Sequence, residues 1–289
     1  MTPTVYIVVG PTAVGKTKYA IELAQKLQTE IISADARQCY QELNIGVARP
    51  SLKELATVSH HFIASHSIQE NLNAGIFEAY ALTKATELLA KFGSVVMVGG
   101  TGLYIKAFVE GMDQIPAIDP AVRSQIQEEV LLKGMDWLQA QVQAKDTAYW
   151  AQADQGEQQN TQRLSRALEV VTGTGQSILS FQLKSKKSRP FNIQKIGLEL
   201  PRAQLYDSIN QRVVQMVNMG LEEEVSALRP QFHLNALQTV GYQEWLPYFE
   251  GQQSKAAVIQ AIQQNTRHYA KRQITWFKKD ADIKWDQTR

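Results

Sequence analysis

Cysteine is all but missing: Cys39 stands alone in 289 residues. An internal disulfide is therefore excluded, as is any zinc site built from several thiolates, and this usage fits a reducing compartment. Cys39 itself reads as a small hydrophobe without chemistry. Long apolar runs are missing too, since nothing approaches the roughly 18 residues of a membrane-spanning helix. The first residues, MTPTVYIVVG, lack a basic leader and pass at once into an apolar β-type run. No signal peptide is expected, and the expected location is the cytoplasm. An excess of one charge is also lacking. Thirty Lys and Arg stand against 28 Asp and Glu, a net +2 that looks too mild for a nucleic-acid binder. The average conceals two clusters, Lys184, Lys186, Lys187 and Arg189, and, near the C-terminus, Arg267, Lys271, Arg272, Lys278 and Lys279. Local patches matter more than totals for binding a phosphate backbone. The remaining composition, 44% hydrophobic and 20% charged, is that of a globular chain, with length for two domains or one core carrying an insertion.

Against these absences stands one strong positive signal, Gly10-Pro11-Thr12-Ala13-Val14-Gly15-Lys16-Thr17, which fits G-x-x-x-x-G-K-[ST]. Its flanks are right for a P-loop. Thr4 to Val9 is a short β-rich run, and Lys18 to Leu27 carries apolar residues at helical spacing. A strand, a glycine turn and a helix N-terminus aim backbone N–H groups at one point, where the helix dipole also favours an anion. Gly15 permits close approach, Lys16 supplies a cation, and Thr17 can offer its hydroxyl to Mg²⁺. The loop predicts a diphosphate or nucleotide site without saying what happens there.

Glu30 to Ala34 predicts a second strand running into Asp35-Ala36-Arg37-Gln38, a polar cluster where parallel sheets bind ligands. A helix cap is the bland alternative, but Asp, Arg and Gln together form a rich hydrogen-bonding set. The pair His60-His61 points two ways in any regular element, so it reads as structural. A helix is expected over Ile76–Ala90 and a buried strand over Ser94–Val98, ending in Gly99-Gly100-Thr101-Gly102. A hydrolytic P-loop protein places a metal-holding acid at that strand end. Here glycines instead suggest a backbone that a ligand approaches, with the Thr101 hydroxyl beside it. The missing acid argues against a motor or GTPase and leaves kinases and non-hydrolytic group transfer open.

Asp119-Pro120 reads as a cap followed by proline at the first helical position. The next helix would carry Val122, Ile126, Val130 and Leu131 on one face, and the chain stays helical to about Ser180. The expected organisation is an α/β P-loop core of nucleotide-kinase type, a parallel sheet over residues 1–116 and 181–289, with a helical insertion over 117–180. Within the insertion, Gln162, Arg163 and Arg166 can form one polar patch, although alone they would read as a solvated helix face. Lys184 to Arg189 looks like an exposed connector. Lys195 to Leu200 predicts a strand, Leu205 to Leu228 one long helix containing Arg212, and Lys255 to about Lys279 a last helix. On that last helix His268, Tyr269, Trp276 and Phe277 interleave with cations, a pattern equally open to base stacking and to an ordinary amphipathic face.

Taken together and in order, GPTAVGKT (10–17), IISADARQCY (31–40), GGTGLYI (99–105), QRLSRALEV (162–170), Gly220 to Leu228, VGYQE (240–244) and TRHYAKRQITWF (266–277) resemble the bacterial tRNA dimethylallyltransferases, the tRNA isopentenyltransferase family. The resemblance spans nearly the whole chain. It implies transfer of a dimethylallyl group from dimethylallyl diphosphate to N6 of adenosine 37 in tRNAs that read codons beginning with U. It also implies a helical insertion that grips the anticodon stem-loop. By the same resemblance Asp35 is the general base, and Asp35, Ala36, Arg37 and Gln38 contact the target adenosine and its neighbour. Thr101 contacts the tRNA and orients the reacting groups, while Arg123, Gln162, Arg163, Leu164, Ser165 and Arg166 touch tRNA as well. Three departures stand out: Ala36 where serine is usual, Cys39 where valine is common, and Gln159-Asn160-Thr161 where Asn-Asp often precedes the QR pair.

The residues support such chemistry independently. An exocyclic amine is a poor nucleophile and needs an activated electrophile. An allylic diphosphate is one, because its leaving anion can be held by Lys16, the loop amides and Mg²⁺ at Thr17, with Arg212 a further candidate. Three alternatives are an adenylate isopentenyltransferase acting on free AMP, ADP or ATP, a nucleotide or small-molecule kinase, and an RNA-binding protein switched by a nucleotide. The first has no need of Arg163, Arg166 or the basic last helix. Nothing in the sequence demands more than a monomer.

Overall fold

The computed structural model describes residues 2–182 and 186–287. By internal contacts the chain divides into two compact units, Met1–Gly111 with Lys187–Arg289, and Met112–Lys186.

The first unit is built on β1 (Thr4–Val9), α1 (Lys16–Lys26), β2 (Ile31–Ser33), α2 (Leu52–Thr57), β3 (His60–His61), α3 (Ala74–Phe92), β4 (Ser94–Val98) and α4 (Gly102–Glu110). The second unit follows, with α5 (Pro120–Lys145), α6 (Thr147–Gln152), α7 (Gln155–Gln158) and α8 (Thr161–Thr174). The chain then returns to the first unit through β5 (Asn192–Glu199), α9 (Arg202–Asn218), α10 (Leu221–Leu228), α11 (Leu246–Phe249), α12 (Lys255–Phe277) and β6 (Ile283–Gln287).

The strands form one sheet in the order β3-β2-β4-β1-β5-β6, every neighbouring pair parallel. A parallel sheet is covered on both faces, which is why its central strands read as continuous apolar runs. Val5, Ile7, Val8, Val9, Val95, Val96 and Met97 are accordingly inaccessible to solvent. Because β1, β2 and β4 are adjacent and parallel, their C-terminal ends open on the same edge. The P-loop, Asp35 and Thr101 leave the sheet there.

The second unit holds helices and no strand among its described residues, around a core of Ile126, Leu138, Val142, Leu164, Leu168 and their neighbours. Asp119 caps α5 by accepting from Ala121 N at 2.9 Å, as its position before Pro120 predicts. Within α5, Gly134 (φ 75°, ψ −168°) breaks the helical path, a conformation open to glycine alone at low cost. Just before that break Leu131 is 86% exposed, so it does not share the buried face expected for it.

Two other expectations need correction. Leu205 to Leu228 is not one helix, because Gly220 at φ 99° ends α9 and starts α10. The basic segment before β5 is not simply an exposed connector. Lys184 lies outside the described residues, but Arg189 is only partly exposed. Its guanidinium donates to Phe108 O (2.8 Å), Ala107 O (3.0 Å) and Glu78 Oε1 (2.9 Å). Arg189 thus caps the last carbonyls of α4, and the adjacent Lys187 N donates to Glu110 O at 2.9 Å.

Candidate active site

The P-loop turn is held by unusual backbone angles: φ is 145° at Gly10, 64° at Ala13 and 96° at Gly15. Gly10 is required by packing as much as by the turn, since a Cβ there would lie 2.5 Å from Leu198 O on β5. Gly15 is the N-cap of α1 and supplies no side chain to it, so the first amides of the helix carry no side-chain cap. Such amides at the positive end of a helix dipole form an anion site. Pro11 and Val14 are buried and shape the loop from beneath, while Thr12, Ala13, Gly15, Lys16 and Thr17 line a cavity of about 960 Å³. The Lys16 ammonium donates to Pro11 O at 2.7 Å. Burial and the neighbouring Arg212 guanidinium push its pKa down to about 7, against a smaller upward pull from Asp35. Arg212, from α9, donates to Thr12 Oγ1 at 3.3 Å, and burial lowers its pKa too.

Asp35 and Thr101 come together by backbone exchange at the sheet edge. Ala34 N donates to Val98 O (2.7 Å), Thr101 N to Ala34 O (3.3 Å), and Ala36 N to Thr101 Oγ1 (3.0 Å). Asp35 Oδ1 accepts from Arg37 N (2.9 Å) and Gln38 N (3.2 Å), a turn that fixes the carboxylate's rotamer. Both bonds fall on Oδ1, and Asp35 lines the same cavity as Lys16, Thr17, Arg37 and Arg212. Gln38 is partly committed within the protein, its NH₂ donating to Val47 O (3.2 Å) and Ala48 O (3.1 Å). Burial keeps the Cys39 thiol protonated, its pKa raised to about 12, in line with a packing role.

The cavity lining also includes the apolar residues Ile45, Val213, Met216 and Ile262. The loop carrying Ile45 is pinned by Glu224, which accepts from Ile45 N (2.8 Å), Gly46 N (3.0 Å) and Tyr242 Oη (2.7 Å). No group of three or more His, Cys, Asp or Glu suited to a metal occurs among the described residues. His61 Nε2 instead meets Glu30 Oε2 at 2.6 Å, and His60 Nδ1 donates to Val58 O at 2.7 Å.

The glycines after β4 make room for protein. A Cβ on Gly99 would strike the backbone of Ala34, one on Gly100 would strike Gln273 Nε2, and one on Gly102 would strike the Trp276 ring. Gln273 and Trp276 both belong to α12, as does Tyr269, which lines the cavity and whose pKa burial raises to about 12. The role of Gln273 was not readable from the sequence. The only trace was the glycine run itself, which signals a close neighbour without identifying it.

In the helical unit the candidate residues behave differently from one another. Arg123 donates to Glu169 Oε1 and Oε2, both at 3.2 Å, and Arg166 donates to Glu169 Oε2 at 3.0 Å. Glu169 is buried and holds both arginines on one carboxylate. Gln162 and Arg163 are exposed, and Arg163 pairs with Glu157; Ser165 is half-buried. Leu164 is wholly buried in the core of this unit, so its side chain is unavailable for an external contact. The helical period explains the burial: Leu164 stacks one turn before Leu168 on the inward stripe.

A parallel sheet with a P-loop after β1, a carboxylate after β2 and no acid after β4 defines a P-loop α/β protein arranged for group transfer. The IPP transferase family model matches residues 38–280. The tRNA dimethylallyltransferase of Christiangramia forsetii is 46% identical over 278 residues, covering 96% of this chain and 91% of that protein. That of Flavobacterium psychrophilum is 45% identical over 281 residues, covering 96% and 92%. Among solved structures, the full-length tRNA isopentenylpyrophosphate transferase of Bacillus halodurans superposes with a TM-score of 0.71 at 33% identity, covering 99% of this chain and 90% of that one. A eukaryotic dimethylallyltransferase solved acting on tRNA shares the fold at a TM-score of 0.80 and 21% identity, covering 99% and 74%. The chain belongs to the IPP transferase family.

Proposed function

We propose that this protein transfers a dimethylallyl group from dimethylallyl diphosphate to N6 of adenosine 37 in tRNAs reading codons beginning with U, releasing diphosphate. The observation that carries this reading is one cavity lined by the P-loop, the Asp35 carboxylate and several apolar side chains, in a chain of this family. The diphosphate sits on Gly10 to Thr17, with Lys16 and Arg212 against the charge that grows as the C1–O bond breaks. Both cations have depressed pKa values in the free protein, and an arriving anion relieves that deficit. The prenyl chain lies against the apolar side chains. Asp35 accepts the N6 proton as the C–N bond forms, and Thr101, its oxygen already accepting from Ala36 N, has its own proton to donate to the substrate.

The donor set at the loop fits Mg²⁺ rather than a metal caged by protein. Thr17 offers one hydroxyl, and Mg²⁺ ordinarily takes most of its ligands from phosphate and water. When bound it would neutralise charge on the leaving diphosphate.

The helical unit, with Arg123, Gln162, Arg163, Ser165 and Arg166, is the body that grips the anticodon stem-loop. The flipped adenine costs a few kcal/mol to unstack, less in a loop than in a duplex. Arg163 gives the cleanest probe, because an exposed pair with Glu157 contributes little to folding. Arg163→Ala should weaken tRNA binding and reduce its log–log salt slope by about one unit, with the KM for dimethylallyl diphosphate and the Tm unchanged. Filter binding across a KCl series checks it.

The test of the whole reading is incubation with labelled dimethylallyl diphosphate, Mg²⁺ and either total tRNA or AMP. Label in tRNA alone is the expected result. Label in AMP would mark a free-nucleotide enzyme, and label in neither would end the proposal.

A further inference from the structure

Gln273 lies on α12, yet its amide reaches two loops that leave different strands. Its Oε1 accepts from Thr12 N at 2.8 Å, and its Nε2 donates to Gly100 O at 3.0 Å. The side chain is 6% exposed and sits next to the catalytic cavity, which it lines together with Thr12, Gly100 and Lys16. The orientation of the amide is not arbitrary. A backbone N–H faces one end and a carbonyl the other, so reversing the amide would set donor against donor and acceptor against acceptor. Glutamine meets this need in full at its length; asparagine is one methylene short, and an apolar residue meets neither group. Gly100 keeps the space open, because a Cβ there would strike Nε2.

The two loops carry different halves of the proposed reaction. Thr12 belongs to the turn that holds the diphosphate and also receives Arg212. Gly100 precedes Thr101, whose hydroxyl oxygen accepts from Ala36 N beside Asp35. A buried side chain joins the two loops.

We propose that Gln273 is a positioning residue for group transfer, fixing the diphosphate loop and the Asp35–Thr101 loop at one separation so that C1 of the allylic group and N6 of the adenine meet in line. The inference rests on the proposed prenyl transfer. Each loop keeps its own ligand contacts without Gln273, so the expected defect lies in the alignment of two bound substrates and not in binding either one. A misplacement of about 1 Å is enough to cost a factor near 10² in rate.

Two variants test this with steady-state kinetics, thermal melts and separate binding of inorganic pyrophosphate and tRNA. Gln273→Leu removes both bonds while filling the space. Its kcat should fall on the order of 10²-fold, with both KM values and both affinities close to wild type and only a modest fall in Tm from the two unpaired backbone groups. Gln273→Glu keeps the acceptor for Thr12 N, but when ionised it turns a charged oxygen on Gly100 O. When protonated it regains a donor, so its kcat relative to wild type should recover as the pH is lowered. A purely structural role would not produce that recovery. Should Gln273→Leu prove too unstable to purify, the pH dependence of Gln273→Glu decides alone. Wild-type kcat in Gln273→Leu, a rise in both KM values together with a large fall in Tm, or a flat pH ratio in Gln273→Glu would each overturn the inference. If wild type transfers no label, the prenyl-transfer reading has failed and this inference goes with it; if wild type transfers and the variants match it, the inference alone has failed.

Discussion

Asp35→Asn should lower kcat for transfer to tRNA by about 10³-fold while leaving tRNA affinity within about twofold, measured by single-turnover label transfer and filter binding. Asparagine is the informative replacement because Oδ1 already accepts from Arg37 N and Gln38 N. The amide oxygen of asparagine can take both bonds, so the turn survives and the loss is confined to the ability to accept a proton. Asp35→Ala would also lower kcat far more than affinity, but it opens the turn and mixes two causes. The size of the loss follows from general-base catalysis, which contributes about 10²- to 10⁴-fold when the group is positioned. An exocyclic amine attacking an allylic carbon acquires positive charge, and only a base at hand removes it. An unchanged kcat in Asp35→Asn would take Asp35 out of the mechanism.

Lys16→Met should reduce kcat/KM for dimethylallyl diphosphate by on the order of 10³-fold without a fall in Tm. Removing one preorganised charge contact to a developing anion costs about 10²- to 10³-fold, and Lys16 meets that anion where water is largely excluded. Stability responds in the other direction. Burial and Arg212 already hold the Lys16 ammonium against its preference, down to about 7, so the folded protein carries that cation at a disadvantage. Methionine removes the disadvantage together with one hydrogen bond, to Pro11 O. Calorimetric melts of the ligand-free protein, set beside the kinetics, check both halves. An active Lys16→Met protein would show that the diphosphate is held elsewhere.

What the sequence disclosed was mostly local. β1, α1 and β4 were legible because an apolar run, a glycine turn and a helical period occur within a few consecutive residues, and Asp35 followed because β2 ends just before it. The edges of the sheet were not. β3 is two histidines, and β6 reads IKWDQ, a half-polar run that gains its strand form only by pairing with β5. Gly220 carried a visible warning that a helix over Leu205–Leu228 would break. The burial of Leu164 within the QRLSR motif is a matter of helical phase, since a helix turns each successive residue by about 100° and sets this one inward. Gln273 lay beyond any pattern, since its partner Thr12 is 261 residues away.

Arg189 and Lys187 carry a consequence for the history of the chain. Where the polypeptide leaves the sheet-bearing unit after α4 and where it comes back before β5, the backbone is stitched across, Lys187 N to Glu110 O, with Arg189 knotted into the end of α4 and onto Glu78. The outgoing and returning ends are therefore neighbours by hydrogen bonding, whatever lies between them. A detour whose two ends meet can lengthen, shorten or be exchanged without altering the route on either side. The sheet and its cavity thus behave as a closed circuit, its two chain ends fastened to each other within the sheet-bearing unit itself.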